Sequence, residues 1–359
     1  MTHPLLFADA RADRLQADAT LPAKFTRMLD RAGLQQTLRG RRVCIKMHVG
    51  GNLGYTTIHP LFVRMLVDNI RECGAADVFI ADCRTEGCER RGYTEETVGC
   101  RIVNLFREDR PSLASMPIGY RHLDEALVSR EVLDADVLLV FSHIKGHGAC
   151  GFGGACKNIA MGVVPAETRA KMHSLEGGIE WNPETCTHCN RCIEECPNQA
   201  NKFDEEGNYS IFFHDCTYCQ HCILACPTGS LKLTERTFED FQTGMARVVE
   251  TVLDHFGPDR QFFINVLLNI TIYCDCWGFS TPALVPDIGI LAGRHAAAID
   301  RASLDLIRAE NLLENGLPRG RTLGEGAHLF EKIHGKDPYL ITRLLGTEDA
   351  ESYRLETVN

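Results

Sequence analysis

The chain has 359 residues, 44% hydrophobic and 24% charged, ordinary values for a globular protein and enough length for two domains. A net charge of -10 argues against a nucleic-acid partner, which requires a basic footprint. The opening MTHPLLFADARADR lacks a basic region followed by an apolar core, and the longest apolar stretch, Phe262 to Tyr273, is short for a membrane span and carries Asn265 and Asn269, so a cytoplasmic protein is expected.

In chain order, a helix is predicted near residues 22–32. The run RVCIKM at 42–47 reads as a strand that breaks at Gly50, Gly51 and Gly54. Pro60 suits the first turn of a helix, and Leu61, Met65, Leu66 and Ile70 recur at helical spacing until Gly74. A second strand, Asp77 to Ala81, follows at once. This strand–helix–strand unit with a short crossover marks a parallel sheet. Further strands are expected at 136–142, 261–272 and 287–291, and further helices at 237–256 and 296–309.

Between these elements lies a cysteine repeat. Seventeen cysteines in a chain without an export signal point to metal rather than to disulfides, and to a reducing or anaerobic setting. The pattern is Cys186-x-x-Cys189-x-x-Cys192-x-x-x-Cys196-Pro197, repeated thirty residues later as Cys216-x-x-Cys219-x-x-Cys222-x-x-x-Cys226-Pro227. Two-residue gaps let one tight loop present three thiolates to a cubane, and the fourth cysteine, before proline, serves the other cluster. One [4Fe–4S] cluster is therefore expected on Cys186, Cys189, Cys192 and Cys226, and a second on Cys216, Cys219, Cys222 and Cys196. Zinc also uses paired cysteines, but it does not need eight thiolates with two Cys-Pro endings. The intervening KFDEEGNYSIFF reads as a hairpin with a Glu-Gly-Asn turn.

The expected architecture is thus α/β, a mainly parallel sheet with flanking helices, interrupted by an inserted bacterial-type 2[4Fe–4S] ferredoxin module. The first part of the α/β domain covers residues 1–178, the insertion 179–236, and the second part 237–359.

Parallel sheets concentrate chemistry beyond the carboxyl ends of their strands. His48 and Asn52 follow the first strand, and Asp82 and Cys83 the second. The strand at 136–142 delivers His143, Lys145, His147 and Cys150 into the loop HIKGHGACGFGGACKN, and the strand at 261–272 leads to Cys274, Asp275, Cys276 and Trp277. Lys145, His147 and His48 are the candidate catalytic residues, the first two to bind or protonate an anionic substrate. Lys46 and Lys145 also read as solvated or paired charges, and a lone His48 or His143 as a hydrogen-bonded structural histidine. GFGG is too short to define a phosphate loop. Cys44, Cys73 and Cys100 read as small buried hydrophobes, whereas Cys83 and Cys88 are left unassigned. Cys150, Cys156, Cys274 and Cys276 form a candidate third metal site for iron, zinc or a further cluster, with His143 or His147 able to replace one thiolate. A redox disulfide and plain buried thiols are the competing readings.

The chain resembles the DUF362 family of iron–sulfur proteins. KMHVGGNLGYTTIHPLFVRMLVDNIRECG is similar to its first strand–loop–helix, and FSHIKGHGACGFGGACKNIAMGV to its central Lys-x-His, Gly-Phe-Gly-Gly and Lys-Asn segment. NITIYCDCWG and PDIGILAGRHAAAIDRASLDL resemble its C-terminal signatures, and LLGTEDAESYRLETV its ending. The resemblance implies the α/β fold with the inserted double-cubane module and accounts for Cys274 and Cys276; it supplies no reaction. Departures gather in the loops around the expected site: Cys150 and Cys156 where apolar residues are usual, Gly51 for an acidic residue, and His295-Ala296 for Asp-Pro. They suggest a specialised substrate or an extra metal.

An iron–sulfur oxidoreductase is expected, passing electrons from an external redox partner through two clusters to a substrate or metal centre in the α/β cleft. The alternative is an electron carrier or maturation protein that docks a partner without turning over a small substrate.

Overall fold

The computed structural model of the chain describes residues 2–50, 53–106, 112–176, 178–196, 199–212, 216, 221–234, 238–345 and 352–359. Gly51, Asn52, Pro197, Cys219 and the tail residues 346–351 lie outside the described residues.

Eight strands form the central sheet: β1 (His3–Asp9), β2 (Arg42–Met47), β3 (Asp77–Asp82), β4 (Arg101–Asn104), β5 (Val137–His143), β6 (Gln261–Leu267), β7 (Gly289–Gly293) and β8 (Tyr353–Thr357). Their order across the sheet is β8-β1-β7-β6-β5-β2-β3-β4. The run from β6 to β4 is parallel throughout. β7 alone runs against both of its neighbours, β6 and β1, while β1 and β8 pair in parallel at the edge.

The central strands are buried on both faces, which is why they read as apolar runs rather than as alternations. Residues two apart still sort into two cores. Val43, Ile45 and Met47 share one with Val137, Leu139 and Phe141, under helices α1 (Leu21–Arg31) and α2 (Pro60–Glu72). Cys44, Leu138, Val140 and Phe263 belong to the other, with residues of α3 (Ala155–Gly162), α4 (Phe238–Phe256) and α5 (Ala296–Leu306). Burying each such aliphatic or aromatic side chain is worth roughly 1.5–3 kcal/mol, so both helical layers are held by the same mechanism.

Three sequence expectations need adjusting. The strand expected at 261–272 ends at Leu267: Ile270 and Ile272 continue the apolar alternation, but Asn269 adopts a left-handed φ of 47° and its N–H donates to Asp287 Oδ1 at 2.7 Å, turning the chain out of the sheet. The helix expected to reach residue 309 stops at Leu306, where Ile307 becomes extended. β1, the edge strand β8 and the opposite edge strand β4 lie in segments where the sequence predicts no strand.

The cysteine-rich segment leaves and rejoins the fold through one two-stranded ladder, in which Ile179–Trp181 pairs antiparallel with Leu231–Leu233. Within it, Asn201–Phe203 and Tyr209–Ile211 form the expected hairpin. Two four-residue helices, Arg191–Glu194 and His221–Leu224, each carry the third cysteine of a repeat, Cys192 and Cys222. These two thiols pack with Leu231, Trp181, Phe203 and Tyr209 in a small core of their own. Among the described residues, no helix is long and apolar enough to cross a membrane.

Lys46 of β2 is fully buried, and α3 accommodates it by having no side chain at Gly162. A Cβ there would meet Lys46 Cε at 2.3 Å and Nζ at 2.5 Å. Alanine is the better helix former by about 1 kcal/mol, but overpacking a held group costs about 1–3 kcal/mol. Gly162→Ala is therefore expected to be destabilising in urea unfolding, and a gain in stability would contradict this packing.

Candidate active site

The first half of the site is built by adjacent strands. β2 carries Lys46 at its end with His48 just beyond, and β3 ends in Asp82. Each Asp82 oxygen has two partners. Lys46 Nζ and the Cys83 N–H donate to Oδ1 at 2.9 and 2.8 Å. The Val49 N–H donates to Oδ2 at 3.1 Å, and His48 Nδ1 lies 2.8 Å from the same oxygen. Burial pushes the Asp82 carboxyl upward, yet the charges of Lys46 and His48 outweigh it and hold the group well below the ordinary carboxylate range. Asn158 of α3 completes the arrangement: its Oδ1 accepts from Lys46 Nζ at 2.8 Å, and its amide donates to Lys46 O, Phe141 O and Ser142 Oγ. His48 is about a quarter exposed, and its Nε2 has no hydrogen-bond partner among the described residues.

The second half joins the end of β5 to the Cys274–Trp277 turn. His143 Nδ1 lies 2.8 Å from Asp275 Oδ2, and its Nε2 lies 2.7 Å from Leu268 O, so the ring is fixed at both nitrogens. Lys145 pairs with Asp275 at 2.9 Å and donates to Thr56 Oγ1 at 2.6 Å. In Asp275, burial again acts upward and is overridden by His143 and Lys145, leaving the carboxyl well below its usual range. His143 and Lys145 are themselves pulled down, chiefly by burial. Both carboxylates of the site are thus consumed by internal cations.

Between the two halves opens a cavity of about 550 Å³ lined by His48, Arg84, Lys157, Arg169, Cys274 and Phe212, among others. Its lining holds four cations, Lys46 and the three just named, against Asp82 and Asp275. On a chain of net charge -10 this is a local positive site, suited to an anion. Phe212 comes from the cysteine-rich segment, so that segment meets the sheet-end residues in one space.

The glycine-rich loop forms the floor. Lys145–His147 pairs antiparallel with Gly151–Gly153. A Cβ at Gly146 would meet Ile272 O at 2.3 Å, which is why the strand can approach the segment leading to Cys274. Cys274 and Cys276 are joined in a disulfide. A ring nitrogen of His147 and both of these sulfurs lie within 4.8 Å of one another. Lys157 Nζ is 3.5 Å from Cys274 Sγ.

Cys150 and Cys156 are not part of that group. Cys150 Sγ sits 3.2 Å from His147 Nδ1 and 3.1 Å from Phe152 O, and burial pushes its thiol up to about 12. Cys156 lies in the first turn of α3, where its N–H donates to Asp300 Oδ2 at 2.9 Å, and burial raises its thiol well above the ordinary range. Cys83 lines the cavity with its thiol pushed up to about 11 by burial and by Asp82. Cys44, Cys88 and Cys100 are buried, and Cys73 is half-buried.

Of the three candidate catalytic residues, only His48 lines the cavity. Lys145 and His147 are buried beneath it. Arg84, Lys157, Asn158, Arg169 and Phe212 were not singled out in the sequence. Lys157-Asn158 sits in the Lys-Asn motif and could have been flagged; Arg169, on the helix Ala166–His173, gives no local signal.

In the cysteine-rich segment, Cys186, Cys189, Cys192 and Cys226 line one small cavity together with Trp181, Phe203 and Tyr209. The His188 N–H donates to Cys186 Sγ at 3.4 Å, and the Ala200 N–H to Cys196 Sγ at 3.2 Å. For Cys226, burial acts upward but is outweighed by hydrogen bonds from Thr228, Leu231 and Ser230, bringing the thiol down to about 7. Cys216 and Cys222 are buried.

A family model described as "Domain of unknown function (DUF362)" matches residues 43–305. No curated protein matches the chain. Similar solved structures include the membrane-bound sulfane sulfur reductase, an archaeal respiratory membrane complex, at 32% identity over 17% of this chain and 35% of that one, with a TM-score of 0.17. A protein from Thermotoga maritima is 13% identical over 70% of this chain and 52% of that one, with a TM-score of 0.37. The lactate racemase apoprotein from Thermoanaerobacterium thermosaccharolyticum is 13% identical over 73% and 50%, with a TM-score of 0.35. The chain spans about a third to a half of the length of these structures.

Proposed function

The chain belongs to the DUF362 family, and we propose that it is an iron–sulfur oxidoreductase that delivers electrons to an anionic substrate held at the carboxyl ends of its parallel strands. In this reading residues 179–236 are an inserted module with two [4Fe–4S] clusters, one on Cys186, Cys189, Cys192 and Cys226, the other on Cys216, Cys219, Cys222 and Cys196. The flanking segments, 1–178 and 237–359, make up the α/β domain.

The residues fit the first cluster on two counts. Its four thiols, drawn from both ends of the segment, line a single small cavity, and N–H donors reach Cys186 and Cys226 as thiolate ligands require. Zinc sites need only paired cysteines and do not require two C-x-x-C-x-x-C runs that each end in Cys-Pro. The clusters, when bound, supply one-electron transfer from an external donor.

The rest is the work of the chain's own side chains. Arg84, Lys157 and Arg169 bind the anion. His48, its Nδ1 fixed by Asp82, lines the cavity as the residue that exchanges a proton with the substrate through its other nitrogen, an arrangement in which a carboxylate sets the orientation of an imidazole. Lys46 and Asn158 lock Asp82; Lys145 and His143 lock Asp275. The observation that carries the proposal is the shared cavity, where Phe212 of the cysteine-rich segment faces His48, Lys157 and Cys274. A bare electron carrier needs no such space.

Anaerobically reconstituted protein is expected to contain about eight irons per chain, with broad visible absorbance that bleaches on reduction. Zinc at about two per chain without that absorbance would overturn the assignment.

A further inference from the structure

The cavity wall holds a disulfide, and its surroundings are those of a working thiol pair rather than a structural staple. A loop closed by two cysteines one residue apart restrains little of the unfolded chain, so Cys274–Cys276 adds little stability by cross-linking. Both sulfur-bearing residues line the cavity. Lys157 Nζ, 3.5 Å from Cys274 Sγ, is placed to stabilise a thiolate there. Asp275 between them is tied to His143 and Lys145, so the turn keeps its shape whichever state the sulfurs adopt.

A metal held by His147, Cys274 and Cys276 is the competing use of the same residues. His147 argues against it. Its Nδ1 accepts the N–H groups of Ala149 at 3.2 Å and Cys150 at 3.3 Å, which places the ring proton of the neutral imidazole on Nε2. With one lone pair engaged by the backbone and the other nitrogen protonated, the ring offers a proton rather than a ligand. Both nearby carboxylates are already neutralised by lysine and histidine. The other thiols close by, Cys150 and Cys83, are held protonated by burial.

We infer that Cys274 and Cys276 form a redox-active disulfide that stores two electrons beside the substrate cavity. The inference rests on the two-cluster reading for its electron source. The cysteines of the module would hold the one-electron centres that supply this couple, and the couple itself takes two electrons. The two electrons break the S–S bond, two protons enter from solvent, and two thiols result. A pair of one-electron centres is thereby matched to one two-electron couple.

The test uses full-length protein purified without oxygen and equilibrated with dithiothreitol redox buffers. Samples are acid-quenched, alkylated, reduced and alkylated with a second reagent of different mass, and the peptide carrying both cysteines is weighed. Cys274 and Cys276 should change together from blocked to reactive, with about 30 mV per tenfold change in the dithiol to disulfide ratio. Dithionite titration should consume about two more electrons per chain in the wild type than in Cys274→Ser/Cys276→Ser at equal iron content. Alkylation of both cysteines at every potential would overturn the inference, as would metal beyond the module iron that the double variant loses. The dithiothreitol titration needs no cluster, so absent iron with a titrating peptide removes the two-cluster reading and its electron source while the couple stands.

Discussion

Cys196→Ala protein, reconstituted without oxygen, is expected to lose the cluster built on Cys216, Cys219 and Cys222 and to keep the one built on Cys186, Cys189 and Cys192. Cys189→Ala should do the reverse. Each variant should retain roughly half of the iron, and EPR of the reduced proteins should show a different surviving signal in each. The reason lies in the repeat. Cys226 ends the second cysteine run, yet it lines the same small cavity as Cys186, Cys189 and Cys192 of the first. The thirty-residue correspondence then assigns Cys196 to the opposite set. Tyr209 lies among these thiols: burial raises its hydroxyl pKa, and Cys222, Cys192, Cys216 and Cys196 add to the effect. Its hydroxyl donates to Asn201 Oδ1 at 2.5 Å, which fixes the hairpin between the two halves. Loss of the same EPR signal from both variants would contradict crossed ligation.

How much could be read in advance depended on whether a feature was local. The strands around Val43-Cys44-Ile45 and Val137-Leu138-Leu139-Val140 announce themselves because burial on both faces leaves continuous apolar runs. β1 and β8 do not, since each is only partly buried and depends on distant partners, β1 on β7 and on β8 and β8 on β1, which no local window contains. Ile270 and Ile272 misled for the opposite reason: their alternation is that of a strand, but Asn269 turns the backbone left-handed first. In the site, the rule that chemistry gathers beyond parallel strand ends placed His48, Asp82, His143, Lys145 and the Cys274–Cys276 turn on one edge. Which of them is accessible was not legible. Lys145 looked like a substrate ligand, but its ammonium is already spent on Asp275 and Thr56. Arg169 and Lys157 reach the cavity only because of where two helices settle on the sheet, and that is decided by tertiary packing. The same packing separates Cys156, held over Asp300, from the pair at the cavity wall.

Removing the carboxylate of Asp82 is expected to be the most damaging single change in the α/β core. Asp82→Ala leaves the Lys46 ammonium fully buried, with the neutral Asn158 Oδ1 as its remaining hydrogen-bond acceptor among the described residues. Breaking a buried pair from one side costs about 3–5 kcal/mol, because the surviving charge loses its partner without regaining water. Lys46→Met/Asp82→Leu removes both charges and should lose much less than Asp82→Ala; urea unfolding of the two proteins makes the comparison. The pair also predicts a pH dependence of definite sign. Asp82 titrates well below its ordinary 3.8 in the folded protein, so the unfolded chain binds this proton first. The stabilisation is therefore complete above the unfolded value and is lost as pH falls below it toward the folded one. Below about pH 4 the wild type should lose stability more steeply than the double variant, whereas above it the two slopes should agree. Equal slopes in the acid range as well, or an Asp82→Ala protein as stable as the wild type, would mean that the Lys46–Asp82 contact contributes nothing to the fold. With the pair broken, His48 would also lose the carboxylate that aims its ring, so the same substitution joins the stability of the sheet edge to the proton-exchanging residue proposed for the site.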